Sequence, residues 1–433
     1  MAKTELPIIS LFSGALGLDL GLEKAGFRVK VAVECNKFAA ETIRLNRPDI
    51  EVIPKRIEDV STDEILEAAK LKPGEAALVT GGPSCQAFST AGQRGSMSDP
   101  RGVMFREFLR VVDEARPRFF VMENVRGILS AAIRHRPLGK RGPGYPALTR
   151  DERLGSALAQ VLRELKKTGY YVVFDLLNAA DFGVPSTRER VAFIGSRDGE
   201  PIWMPEPTHG PERTSTRRAW VTLEKAIGGL KGPHSYTPLA ASKARFLRLV
   251  PTGGNWKDLP PQLQKKALGA AYVSWGGRSG FCRRLGWDRP APALTTRPDS
   301  KATMLCHPTE TRPLSIDEYK AIQQFPKRWR LAGGKPQQYK QLGNAVPVGF
   351  GAAIGGALRI AMRRRARLVL LGSVVCANPT LMSRLAARPQ TVLNPPRMRR
   401  YKSDAAAKKW LGGAKRGGLK RLITTKDSRR TGT

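Results

Sequence analysis

Hydrophobic and polar positions alternate along the first half of the chain in two rhythms. Pro7–Phe12 is a short apolar run closed by Ser13-Gly14, which predicts a buried strand. Leu18–Ala25 has helical spacing, Arg28–Val33 reads as a strand ending at Glu34, and Phe38–Leu45 as a helix. Ser61, with Glu64 three residues on, offers a capping box for a helix to about Lys70. Ala76–Thr80 predicts a strand running into Gly81-Gly82-Pro83, Phe105–Ala115 a helix, and Arg118–Met122 a strand closed by Glu123. Tyr170–Leu176 and Arg190–Ile194 predict further strands.

This alternation predicts an α/β fold, a mainly parallel twisted sheet with helices on both faces. Ligands of such sheets bind beyond the carboxyl ends of the strands. Four of the strands end in Ser13-Gly14, Glu34, Gly81-Gly82-Pro83-Ser84-Cys85 and Glu123-Asn124, so the unusual residues gather on one edge. From Ser196 to Gly286 periodicity weakens and Gly, Pro, Arg and Trp are frequent, which suits a second, smaller domain or a set of long loops. Trp287–Ile360 regains helical character, with helices expected at Ile316–Gln324 and Val348–Met362. The expected division is 1–195, 196–286, 287–362 returning to the first domain, and a basic, partly disordered extension over 363–433. His135–Thr149 (HRPLGKRGPGYPALT) reads as a flexible basic loop.

Charge sharpens this picture. The 74 Lys+Arg against 37 Asp+Glu leave a net +37, which attracts polyanions, nucleic acid above all. Residues 363–433 hold 19 basic and 2 acidic side chains, so the remaining +20 belongs to the body of the chain. Five widely spaced cysteines without a Cys-x-x-Cys argue against a disulfide framework or a zinc ribbon. The N-terminus has no signal pattern, and apolar stretches such as Leu368–Cys376 are too short to span a bilayer. The expectation is a soluble protein of a reducing cytoplasm, with no membrane partner and no metal.

Particular residues suggest chemistry. The turn Phe12–Gly17 joins strand to helix, and its glycines let backbone approach a ligand. Glu34 stands where a carboxylate can accept both hydroxyls of a ribose, and Asp59 could accept from an adenine amino group. Each has a plainer reading, as a solvated carboxylate or a residue near a helix cap. A lone cysteine is usually a small buried apolar residue. Cys85, however, follows two glycines and a proline at a strand end, the place for an exposed nucleophile.

Phe12–Gly17, Gly81–Ser89, Glu123-Asn124-Val125, Pro185–Arg190 and Gln341–Pro347 resemble, in order, the motifs of DNA cytosine-5 methyltransferases. Arg101-Gly102 and Arg284–Thr295 fit as well, and the resemblance runs from Pro7 to Ile360. It implies a Rossmann-like S-adenosylmethionine-dependent methyltransferase of the prokaryotic restriction–modification type, with a target-recognition domain at 196–286. It implies Cys85 as the nucleophile on carbon 6 of cytosine, Glu123 holding N3 and the exocyclic amine, Arg190 at O2, and Arg188 supporting the site. The methyl donor falls to Phe12, Gly14, Gly17, Glu34, Asp59, Pro83, Asn344 and Val346. Gln86, Ser89 and Arg101 fall to DNA, on a loop closing over the flipped base. The implied partner is double-stranded DNA, bound by a monomer that can pair functionally with a restriction endonuclease. Leu16, Ser84 and Ser186 depart from the usual pattern. Leu16 adds bulk to the first loop, and Ser186 removes a polar support from the arginine pair. The alternatives are a tRNA cytosine-5 methyltransferase on the same scaffold and a catalytically inactive DNA-binding regulator.

Overall fold

β1 (Pro7–Leu11), β2 (Arg28–Val33), β3 (Glu51–Ile53), β4 (Leu78–Gly81), β5 (Phe119–Val125) and β6 (Tyr171–Asn178) are short apolar strands separated by helices or turns. The computed structural model describes residues 5–83, 104–232, 234–273, 278–363 and 375–377. Cys85, Gln86, Ser89 and Arg101 therefore lie outside the described residues. β7 (Ser186–Thr187) is a two-residue strand, and β8 (Glu189–Ser196) follows it at once. β9 (His209–Gly210) pairs with β10 (Arg218–Ala219), β11 (Ala291–Pro292) pairs with β7, and β12 (Val375–Ala377) pairs with β6.

The central sheet has eight strands in the order β12-β6-β8-β5-β4-β1-β2-β3. Neighbours are parallel except at β8, which runs antiparallel to both β5 and β6. That reversal has a geometric consequence. The carboxyl ends of β1, β2, β4 and β5 share an edge with the amino end of β8, where Arg188 and Arg190 lie. The chain adds β2 and β3 on one side of β1 and β4 on the other, so the order reverses between β1 and β4. A crevice opens outside the strand ends at such a switch point.

Side-chain alternation gives the sheet two packed faces. Ile8, Val29, Leu78, Phe119 and Val121 share one buried cluster with Leu18 and Leu22 of α1 (Gly17–Lys24), Ala40 and Ile43 of α2 (Lys37–Asn46), and Phe350 and Ile354 of α11 (Val348–Arg363). On the other face Phe120 meets Phe108 of α4 (Met104–Ala115) edge to face, with centroids 6.1 Å apart, and Tyr170 at 5.2 Å. α3 (Thr62–Ala69) is capped by Ser61, whose hydroxyl accepts from Glu64 N at 3.1 Å. The other half of the expected capping box is replaced, because the Glu64 carboxylate pairs with Lys55 at 2.7 Å.

The irregular region contains α6 (Leu223–Ile227), α7 (Ala241–Leu247) and α8 (Pro261–Leu268); α5 (Ser156–Lys167) precedes it, and α9 (Ile316–Ile322) and α10 (Lys335–Asn344) follow. Its apolar residues divide. Leu223 and Ile227 join the main core. Phe246, Leu247, Val250, Trp256, Leu259 and Leu268 form a second cluster with Cys282, Met304 and Cys306. Buried Arg284 ties that cluster together, donating to the carbonyls of Val250 (2.8 Å), Leu247 (2.7 Å), His307 (3.1 Å) and Glu310 (3.0 Å).

Two further features bear on the reading from composition. Lys335–Arg363 has the length and apolar character to cross a membrane. Pro347 divides it into α10 and α11, however, and α11 buries Val348, Phe350, Ile354 and Leu358 in the core. β12, Val375–Ala377, falls within the stretch read as an extension and pairs parallel with β6 at the sheet edge.

Candidate active site

The first loop of the crevice is sharply bent. Phe12, Gly14 and Leu16 all have positive φ, at 52°, 53° and 65°. Leu16 accepts this strain because its side chain is fully buried in the main core, so its bulk points away from the loop rather than crowding it. Gly14 N donates to Glu34 Oε2 at 2.7 Å, and Asn36 N donates to Glu34 Oε1 at 2.7 Å. Burial pushes the Glu34 carboxyl up from its usual range, while the Asn36 and Gly14 N–H groups and the Lys340 charge pull it back. The result is a half-buried, oriented carboxylate with lone pairs left for hydroxyl donors.

Residues 341–347 return to this loop from the far end of the chain. A Cβ on Gly17 would stand 2.2 Å from Val346 O, so only glycine permits the contact. Arg188 is buried and donates to Gly343 O at 3.0 Å, Asn344 O at 3.1 Å and Leu294 O at 3.4 Å. It stitches both segments to the turn between β7 and β8. The Ser186 hydroxyl donates to Pro292 O at 3.3 Å, tying β7 to β11. Asn344 itself is exposed, and so is Asp59.

At the ends of β4 and β5 lies the second half. Glu123 is buried, and its Oε1 lies 2.5 Å from Arg190 Nε. The register explains the pairing: Glu123 opposes Ala192 and Val125 opposes Arg190, so Glu123 and Arg190 are diagonal neighbours on one face. Oε1 takes no aligned hydrogen bond despite this ionic contact, which leaves acceptor capacity on a buried carboxylate. A Cβ on Gly82 would stand 2.8 Å from Glu123 Oε2, so Gly82, three positions before Cys85 in the sequence, lies directly beside this carboxylate. Asn124 Nδ2 reaches Pro83 O at 3.5 Å. Among the described residues no group of His, Cys, Asp and Glu could hold a metal ion. A cleft of about 560 Å³ lined by Pro7, Lys30, Ile50 and Glu51 opens at the amino ends of β1–β3, on the opposite edge from these residues.

The family model of C-5 cytosine-specific DNA methylases matches residues 6–359. The chain belongs to this family. It is a DNA cytosine-5 methyltransferase, and its family implies S-adenosylmethionine as methyl donor. Among its relatives, the Type II methyltransferase M.Sau96I of Staphylococcus aureus is 36% identical over 353 residues, covering 81% of this chain and 75% of the relative. The Type II methyltransferase M.Eco47II of Escherichia coli is 34% identical, with coverage of 80% and 77%. A putative DNA modification methyltransferase encoded within an E. coli prophage shares the fold at a TM-score of 0.56 and 23% identity, covering 83% of this chain and all of that one. DNMT2 of Spodoptera frugiperda shares it at 0.52 and 17%, covering 82% of this chain and 99% of that one. The family match favours DNA over the tRNA alternative, and methyl transfer over an inactive regulator.

The sequence reading missed the role of β8 as a reversed strand. It also missed the binding of Arg188 to main-chain carbonyls of two distant segments. A signal for the second existed in the order Arg188-Glu189-Arg190, which places two arginines on one face of a strand start and leaves Glu189 to pair with Arg126 at 2.6 Å.

Proposed function

We propose that this methyltransferase acts on a cytosine flipped out of a specific double-stranded DNA sequence, through a covalent bond from Cys85 Sγ to carbon 6. The observation that supports this best is the Glu123–Arg190 pair beside Gly82, three positions before Cys85 in the sequence. The Cys85 thiolate forms the S–C6 bond, and the pair of electrons from the C5–C6 double bond becomes available at carbon 5. Glu123 holds N3 and the exocyclic amine, favouring protonation at N3 as charge develops. Arg190 contacts O2, and Arg188 keeps residues 343–344 against the site. S-adenosylmethionine, when bound, supplies the methyl group that carbon 5 takes up. With S-adenosylhomocysteine as the spent donor, transfer of the carbon 5 proton to water restores the C5–C6 double bond and expels the Cys85 thiolate.

The donor fits the first half of the crevice. Glu34 is a carboxylate oriented by two N–H groups and suits a ribose. Phe12, Gly14, Gly17, Asp59, Pro83, Asn344 and Val346 complete the donor site. Gln86, Ser89 and Arg101 contact DNA. Target recognition belongs to the region around the second hydrophobic cluster, from within 196–286 onward to Cys306. We assign the enzyme to a bacterial cytoplasm, associated with the nucleoid, as a monomer functionally paired with a restriction endonuclease.

Trapping tests the central step. On DNA carrying 5-fluorocytosine, fluorine blocks elimination, so the full chain is expected to form a stable adduct on Cys85, and Cys85→Ala to form none while still binding DNA. Methylation by Cys85→Ala near the parent rate would overturn the assignment.

A further inference from the structure

The basic stretch between β5 and α5 has a bonded framework where its composition reads as flexible. Arg136 donates to both carboxylate oxygens of Glu152, at 3.0 and 2.5 Å, and to Pro146 O at 2.5 Å. Thr149 N donates back to Glu152 at 2.9 Å, closing a capping box. Arg141 donates to Arg136 O, and Arg134 N to Asp151 O at 2.9 Å. Ile133 N is held by Ser156 Oγ at 2.9 Å, at the first residue of α5. The Thr149 N–H and the Arg136 guanidinium hold the Glu152 carboxyl down at about 2, so this ion pair is charged over the working pH range.

This framework uses Arg136 and Glu152 internally. Outside it stand Arg134, Lys140, Arg150 and Arg153, all exposed and none in an ion pair among the described residues. Four exposed cations on one bonded loop, without acidic partners among the described residues, give it a net positive charge that attracts a polyanion. The loop's location names the polyanion. It leaves the sheet from the end of β5 that carries Glu123, and Arg126 at its root pairs with Glu189, the neighbour of Arg190. The loop thus rises from the same strand end as the groups assigned to the flipped base.

We propose that the loop from Arg134 to Arg153 is a DNA-backbone clamp beside the reacting base, in which Arg134, Lys140, Arg150 and Arg153 contact phosphates. The proposal rests on the reading that duplex DNA docks at the strand ends, and trapping of the parent chain on 5-fluorocytosine DNA tests that reading separately. Phosphate contacts carry no sequence information, so the clamp sets affinity and register rather than target choice. Each lost phosphate contact lowers the salt slope of DNA binding by about 0.9.

The test uses the full chain with R134Q, K140Q, R150Q and R153Q combined, and the same four positions as lysine for charge-preserving comparison. Duplex binding is measured by fluorescence anisotropy at several salt concentrations, alongside steady-state methylation. The glutamine variant is expected to lose about 3–4 from the magnitude of the log Kd–log salt slope. Its KM for DNA should rise at least tenfold, with kcat at saturating DNA unchanged; the lysine variant should behave like the parent. If the combined variant fails to fold, K140Q and R153Q alone should each lower the slope by about 1. An unchanged slope and KM would overturn the proposal, as expected if the loop instead served an acidic protein partner.

Discussion

Asp19 carries its carboxyl inside α1, where Oδ1 takes no hydrogen bond and the side chain is 2% exposed. Burial raises its pKa from 3.8 to about 7, aided by the Glu23 charge and opposed by Ser10, its own backbone N–H and the Arg47 charge. The sign follows from linkage. Between pH 4 and 7 the folded chain holds a proton that the unfolded chain has lost, so this group's contribution to stability falls as pH rises. The full loss is about 4 kcal/mol. Asp19→Asn stays neutral throughout. Its melting temperature relative to the parent should therefore climb by several degrees from pH 4.5 to 7.5; a constant difference across that range would refute the burial argument. Residues of this kind were hidden from the sequence. Asp19 sits between Leu18 and Leu20 on an ordinary helix, and nothing in its spacing shows which face is sealed. Glu34 and Glu123 were legible because they stand next to or just inside strand ends, and strand ends follow from short apolar runs.

At the scale of elements, α1 and α11 meet backbone to backbone. A Cβ on Gly21 would stand 2.2 Å from Val348 O and 2.5 Å from Ala352 N, and backbone on both sides cannot yield. Gly21→Ala should destabilise the fold by about 1–3 kcal/mol or more, despite alanine's better helix propensity. Gly356→Ala, on α11 but with open space at its Cβ, should gain up to about 1 kcal/mol. Chemical denaturation of the two variants distinguishes them, and equal shifts would discredit the contact. β1, β2, α2, α4 and α11 were all readable because each carries an unbroken period. β3 was not, since three residues hold no period, and neither was the reversal of β8, which is a tertiary choice. The second cluster was obscured for a similar reason. Its core draws on Phe246, Trp256, Cys282 and Met304, residues scattered over short helices and loops and bound through Arg284 rather than through any repeating face.

For the whole molecule, the position of β12 separates two truncations that composition would treat alike. Stopping after Met382 removes a segment with 15 basic and 2 acidic residues but keeps Val375–Ala377 on β6. DNA binding should become weaker and less salt-sensitive while kcat at saturating DNA persists. Stopping after Met362 also strips the edge strand and should lower the melting temperature as well. Identical melting curves for the two would mean that β12 adds nothing to the sheet.

The contact between Gly17 and Val346 joins residues 329 positions apart in the chain. A ribosome adding about 5–20 residues per second needs roughly 16–66 s to get from one to the other. During that interval the nascent polypeptide has its glycine turn but not the far wall that closes on it. A product released within that interval lacks one wall of its crevice.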